Sequence, residues 1–323
     1  MREGKFLKNN MDKWKQIQQE PASSPDEMAR QFTELVNDLG YAKTFYPRSK
    51  VTEYLNGLAS RIYLTIYRNK KEEKSRILHF WKTELPLTIR RYHRELLYSF
   101  CIFLLFAIMA AFSAAQDETF VRGVLGNAYV EMTEDNIEKG DPFGVYKGTD
   151  EWSMFLQIAL NNIRVSFMVF VSGVFAGIGT VYMLFSNGMM LGSFQYYFFA
   201  KGLGWPSVLV IWIHGTLEIS AIIIAGAAGF VIAGHLLFPG TYTRLQSLMT
   251  GAKNGLKIMI GLVPVFIVAA FFEGFITRHS TMPAWLSIGI LLLSLFFIIW
   301  YFVWYPISLS RKMKNAPKLP VSI

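Results

Sequence analysis

Cysteine is nearly missing from this chain: Cys101 is the single one in 323 residues, and it sits in an apolar run. That excludes a disulfide framework and a cysteine-based metal site. Enzyme signatures are missing too, with no H-E-x-x-H, nucleophile elbow, P-loop or dinucleotide-binding pattern in a suitable place. His214 and His235 would stand about 32 Å apart along a continuous helix, too far to share a metal ion. The expectation is therefore a non-enzymatic protein with no cofactor and no metal. No apolar run precedes residue 95 or so, so no cleavable signal peptide is expected. No internal repeat is clear enough to argue an inverted-repeat transporter. Acids are absent from 239–257 and from the tail after Pro306, although both stretches contain bases.

What the chain has in quantity is apolar surface. Apolar residues make up 52% and aromatics 15%, and several runs reach the 20 or so residues that a bilayer crossing needs. The formal charge of +9 would suit nucleic acid, but the bases gather in the N-terminal region and the C-terminal tail. That is the bias of cytoplasmic segments, so the expected partner is a lipid bilayer and not nucleic acid.

Residues 1–95 read as a soluble, cytoplasmic helical region with 19 Lys/Arg against 12 Asp/Glu. Ser24-Pro25-Asp26-Glu27 is a helix start, with a capping Ser, Pro in the first turn and Glu at the third position. Pro47 ends that helix and Ser49 can cap the next, whose stripe is Val51, Tyr54, Leu55, Leu58 and Ile62. A charged turn from Arg68 to Arg76 follows. The first crossing is 96–115. The segment 116–151 holds nine acids and three bases and reads as a solvated connector on the outer side. A second crossing over 156–185 carries Asn162, Gly173, Gly177 and Thr180 on one face. Ser186-Asn187-Gly188 reads as a turn, followed by a short third crossing at 187–203. Crossings at 206–234, 257–276 and 285–305 and a basic cytoplasmic tail at 307–323 complete the chain. The expected fold is all-α: about six transmembrane helices, both termini in the cytoplasm, in the inner membrane.

The stretch 205–238 organises the rest. It carries His214 and Glu218 four residues apart, on one side of a helix. An ionisable group at membrane depth costs roughly 2.5–3.5 kcal/mol and usually faces protein or a water-filled cavity. Ala221, Ala225, Gly229 and Ala233 continue that side as a track of small residues, along which another helix can pack closely. The track is expected to meet Gly173 and Gly177, pairing them with Ala225 and Gly229. His214 and Glu218 are expected to be hydrogen-bonded partners with Asn162 close by. Glu273 could join them in one polar pocket, but its place near a helix end reads more simply as interfacial. The alternative for the whole group is plain helix packing.

The chain resembles the stage II sporulation protein M family. The likeness rests on Glu3, Phe6 and Trp14, on Asp38-Leu39-Gly40-Tyr41-Ala42 with Phe45-Tyr46-Pro47, and on Tyr54-Leu55-Asn56. In the apolar part it rests on Asn161-Asn162, the Gly173/Gly177/Gly179/Thr180 run, Asn187-Gly188 with Gly192, and His214-Gly215-x-x-Glu218 with Ala225-Gly226. Ile213 departs from it, standing where the family often has Pro and a kink. The resemblance implies a membrane component of a cell-envelope complex, with other membrane or envelope proteins as partners and self-association open. Two function classes follow: a scaffold, or a permease or lipid-handling protein that uses the Asn162/His214/Glu218 pocket.

Overall fold

The computed structural model describes residues 2–19, 22, 24–68, 76–144, 150–277 and 282–315, and all its regular elements there are helical. The charged turn at 69–75 and the tail end at 316–323 lie outside the described residues. The chain divides into two units, residues 1–76 and 77–323. The boundary therefore falls earlier than expected: 77–95 belong with the apolar bundle and not with the N-terminal region.

The first unit holds α1 (Glu3–Gln19), α2 (Pro25–Phe45) and α3 (Lys50–Arg68). Ser24 caps α2, its Oγ accepting from Glu27 N–H at 3.2 Å. The unit has its own core of Phe6, Trp14, Leu35, Ala42, Val51, Leu55, Leu58 and Ala59. Trp14 is fully buried, so its indole N–H needs a partner there. It donates to Asp38 Oδ2 at 2.8 Å, and Lys13 pairs with the same carboxylate at 2.6 Å.

The second unit is entered through α4 (Arg76–His79), a π-helical turn at Phe80–Glu84, and α5 (Leu85–Arg91). Pro86 lacks an N–H, which leaves the Lys82 carbonyl without its helical donor. Tyr305 Oη donates to that oxygen and Tyr301 Oη to the Trp81 carbonyl, both at 2.7 Å. The long elements are α6 (His93–Gln116), α9 (Glu151–Val171), α10 (Ile178–Ala200), α11 (Gly204–Leu237), α12 (Arg244–Phe271) and α13 (Ala284–Ile299). From α13 a π turn at Trp300–Trp304 leads into α14 (Tyr305–Asn315), so helix replaces the first part of the expected tail. Five stretches are long and apolar enough to cross a membrane: 93–116, 151–174, 204–237, 244–277 and 284–315. The chain is thus an all-α polytopic membrane protein. Helix α10 is long enough and uncharged, but Asn187, Gln195 and three tyrosines dilute its apolar character.

The second and third expected crossings need correction. Residues 156–185 are not one helix: α9 ends in a 3-10 turn at Ser172–Val174, and α10 begins at Ile178. Ala176 and Gly177 between them have φ of 55° and 85°, the left-handed region that reverses the chain. The expected turn at Ser186-Asn187-Gly188 lies inside α10. There Asn187 Nδ2 donates to the Met183 carbonyl one turn back, at 2.8 Å. Gly192 explains the small residues of α10: a Cβ there would strike the Ala107 carbonyl of α6.

Helix α11 is the axis of the bundle. It packs on α6, α9, α10, α12 and α13, and most of its residues are buried. It runs unbroken through Ile213, so the kink that a proline would bring is absent. Its small residues work as a close-approach track. Gly173 abuts the Gly229 backbone directly, and a Cβ on Gly177 would stand 3.1 Å from Ala233 Cβ. The chain direction puts 116, 151, 200, 204 and 277 at one end of the bundle. Between α6 and α9, α7 (Glu118–Leu125) and α8 (Asn127–Glu138) form a lid there.

That lid replaces the expected solvated connector, of which 145–149 lie outside the described residues. Val121, Val130 and Phe143 join Ala114, Tyr197 and Phe198 in a small core of their own. Arg122 and Lys201 both reach the Glu134 carboxylate, at 2.8 and 2.9 Å, fastening the lid to the end of α10. The Lys201 hydrogen bond, with Arg122 beside it, holds the Glu134 carboxyl below the usual carboxylate range.

Candidate functional site

His214 and Glu218 lie on one side of α11, as a spacing of four requires. Their surroundings come from two other helices. Helix α12 passes at Phe272–Thr277 into a π-helical turn, a local irregularity frequent at functional sites. That turn carries Glu273 and Thr277. His214 is 4% exposed; its Nδ1 meets Thr277 Oγ1 at 3.0 Å and its Nε2 stands 3.9 Å from Glu273 Oε1. Asn162, from α9, donates through Nδ2 to Glu218 Oε1. A carboxylate oxygen of Glu218 and one of Glu273 lie within 4.8 Å of each other and of a His214 ring nitrogen.

Four residues singled out in the sequence, Asn162, His214, Glu218 and Glu273, are thus one cluster. Within it Asn162 bonds Glu218, and Thr277 bonds His214. Glu273 is not an interfacial side chain. It is 14% exposed and turned into the cluster, because the π turn sets it there. Thr277 was missed, although its position four residues after Glu273 was a signal. Arg164 is exposed and away from the small-residue face, as its position on α9 implies.

Two cavities meet at the carboxylates. One, of about 330 Å³, is walled by Val124, Leu125 and Tyr129 of the lid, Met190 and Phe194 of α10, and His214, Glu218 and Glu273. The other, of about 650 Å³, is bounded by Gln157, Asn162 and Arg164 of α9 with the same two glutamates. Between α10 and α11, Trp212 Nε1 donates to Gln195 Oε1 at 2.7 Å, and Gln195 Nε2 donates to Ser207 Oγ at 3.1 Å. The lid, α10 and α11 therefore form one polar-braced wall around the first cavity. A histidine and two carboxylates whose ligand atoms lie within 4.8 Å of one another can bind a cation or pass a proton.

The far end of α11 has a second polar group of another kind. Ser247 Oγ donates to the His235 carbonyl at 2.8 Å, so it accepts from His235 Nδ1, 3.1 Å away. His235 Nε2 then accepts from Tyr92 Oη at 3.0 Å, and Tyr92 Oη accepts from Asn254 Nδ2 at 2.8 Å. Every proton in this chain has one consistent place, which marks a structural joint between the α5–α6 corner, α11 and α12.

Comparison with known families adds a frame to this geometry. The family described as Stage II sporulation protein M matches residues 99–278, which take in the lid and all five site residues. The N-terminal residues 4–68 match a separate family, a domain of unknown function (DUF8413). The likeness read over nearly the whole chain is thus divided between two families. No curated protein and no solved structure matches. The match spans more than half of the chain, so this protein belongs to the stage II sporulation protein M family.

Proposed function

We propose that the chain is a permease-type, non-enzymatic protein of the inner membrane, with the Asn162/His214/Glu218/Glu273/Thr277 cluster as its ligand-binding centre. The observation that carries this reading is the position of two partly buried carboxylates, beside the buried His214, on the shared boundary of two cavities. A cluster meant only to pack helices has no need of free volume on both sides, and ionisable groups at this depth are costly. In this reading α10 is a sixth crossing, both termini are cytoplasmic and the lid faces outward. The acid-poor, basic 239–257 loop and C-terminal tail support that orientation.

A second reading, a scaffold for membrane or envelope proteins, draws on the N-terminal unit. It has a core of its own and belongs to a separate family, as a partner-binding module would. The two roles are compatible in one chain. Glu218→Gln separates them, since it keeps the shape and the Asn162 contact but removes the negative charge. Expressed in a deletion strain, a folded and membrane-inserted Glu218→Gln protein should fail to restore the deletion phenotype. Full restoration would refute the permease reading and leave the scaffold.

A further inference from the structure

The geometry points to a site for one divalent transition-metal ion, bound by His214 Nε2, Glu218 and Glu273. This deepens the permease reading by naming the ligand class of the same centre, and it rests on that reading. The three donor atoms lie within 4.8 Å of one another. A tetrahedral ion with bonds near 2.1 Å needs donors about 3.4 Å apart, which rotation of the carboxylates can supply. His214 is already oriented for the task. Its Nδ1 is engaged by Thr277 Oγ1 at 3.0 Å, which leaves Nε2 on the side of Glu273, 3.9 Å away. A hydrogen bond on the other ring nitrogen is how metal-binding histidines are generally held. Asn162 steadies Glu218 in the same way, by donating to one of its oxygens.

Charge and access agree with that assignment. Two carboxylates held together in a membrane interior are compensated at once by a doubly charged cation. The imidazole among the donors suits zinc better than calcium or magnesium, and manganese, which accepts the two carboxylates, serves as a paramagnetic probe of the same site. Three protein donors leave coordination positions open, and the 330 Å³ cavity beside them gives room for water or a leaving path. Among the described residues, that cavity's wall carries no lysine or arginine. The second cavity includes Arg164, whose charge disfavours a cation there, so the ion's route is the lid-side cavity.

The test uses the purified full chain, stripped with a chelator and dialysed against Mn²⁺ or Zn²⁺. About one equivalent should be retained, and the Mn²⁺ form should give an electron spin-echo modulation from a ligating imidazole nitrogen. His214→Asn should lose that modulation, and Glu273→Gln should bind at least about tenfold more weakly, while His235→Asn keeps both signals. Thr277→Val should retain the ion but bind it roughly 10–100-fold more weakly, as for other groups that orient a ligand. Negligible binding by well-folded parent protein, or binding that none of the site variants alters, overturns the metal site. The two readings fail separately. One equivalent bound together with full rescue by Glu218→Gln keeps the metal site and ends the permease reading. No binding together with loss of function in Glu218→Gln does the reverse.

Discussion

Gly229→Ala offers the sharpest test of the helix packing. A methyl group at Gly229 collides with the Thr180 hydroxyl and stands 2.9 Å from the Val169 carbonyl and 3.0 Å from Thr180 Cγ2. Thr180 and Val169 are fully buried, and Thr180 Oγ1 donates to the Val169 carbonyl at 3.0 Å. Neither neighbour can yield without moving α9 or α10. Overpacking of this kind costs about 1–3 kcal/mol, and losing the Thr180 hydrogen bond adds about 0.5–1.5 kcal/mol. A total of roughly 2–4 kcal/mol corresponds, for a unit of this size, to a melting point lowered by roughly 5–12 °C. Intrinsic tryptophan fluorescence during a thermal ramp in detergent reads that shift directly. Thr180→Ala removes the obstructing hydroxyl, so the double variant should melt higher than additivity predicts, with coupling of about 0.5–3 kcal/mol. If Gly229→Ala melts within a degree or two of the parent, α9, α10 and α11 do not meet as described and the argument from close approach is wrong.

Two further outcomes are expected. The Glu134 clasp should weaken in acid. Its carboxyl is held below its unfolded value, so the stabilisation is complete above pH about 4.3 and is lost as pH falls through the folded value. The partners are over a third exposed, so the effect is small, about 0.2–1 kcal/mol for each pair. Protection of the 127–138 amides, taken relative to the intrinsic exchange rate at each pH, should fall in acid in the parent and be lower than the parent's neutral-pH value at both pH values in Glu134→Gln; a lid equally protected throughout would show that the clasp holds nothing. Second, Thr250→Cys in a Cys101→Ala background should be modified by an impermeant thiol reagent only after the cells are opened. Labelling of intact cells at that position would reverse the proposed orientation.

Much of the site could be read from the chain, because its key spacing is short. His214 and Glu218 are four residues apart on a helix with no breaker, so the fold could hardly separate their faces. The join of α9 to α10 was illegible for the opposite reason. Gly173 and Gly177 have the spacing of a helix-packing pair, yet Gly177 is a left-handed turn residue and Gly173 lies in a 3-10 turn. The same spacing serves either structure, and no proline marks the break. Ser186-Asn187-Gly188 misled in the other direction. Surrounded by other helices, the backbone keeps its own hydrogen bonds, and a turn-like triplet stays helical with Asn187 bonded back to Met183. Glu273 was misjudged because a π turn changes the direction of a side chain without any sequence mark. The lid helices were hidden by their acids, although Val121, Val130 and Thr133 lie inside.

Polar side chains on α11 stop at Ser220 and resume at His235, with only small and branched apolar residues and Phe230 between them. From Glu218 to His235 is about 26 Å at 1.5 Å per residue. That span is nearly a full hydrocarbon thickness, and it is sealed at its far end by the Tyr92–His235–Ser247–Asn254 joint. If water fills the cavities on the lid side, the membrane's electric field falls almost wholly across this dry segment. An ion would then reach the glutamates at almost no electrical cost. Any onward step through the segment would carry the whole voltage dependence, about 2.3 kcal/mol per charge for each 100 mV. Binding insensitive to membrane potential and passage strongly sensitive to it are the electrical signature of a chain built on this axis.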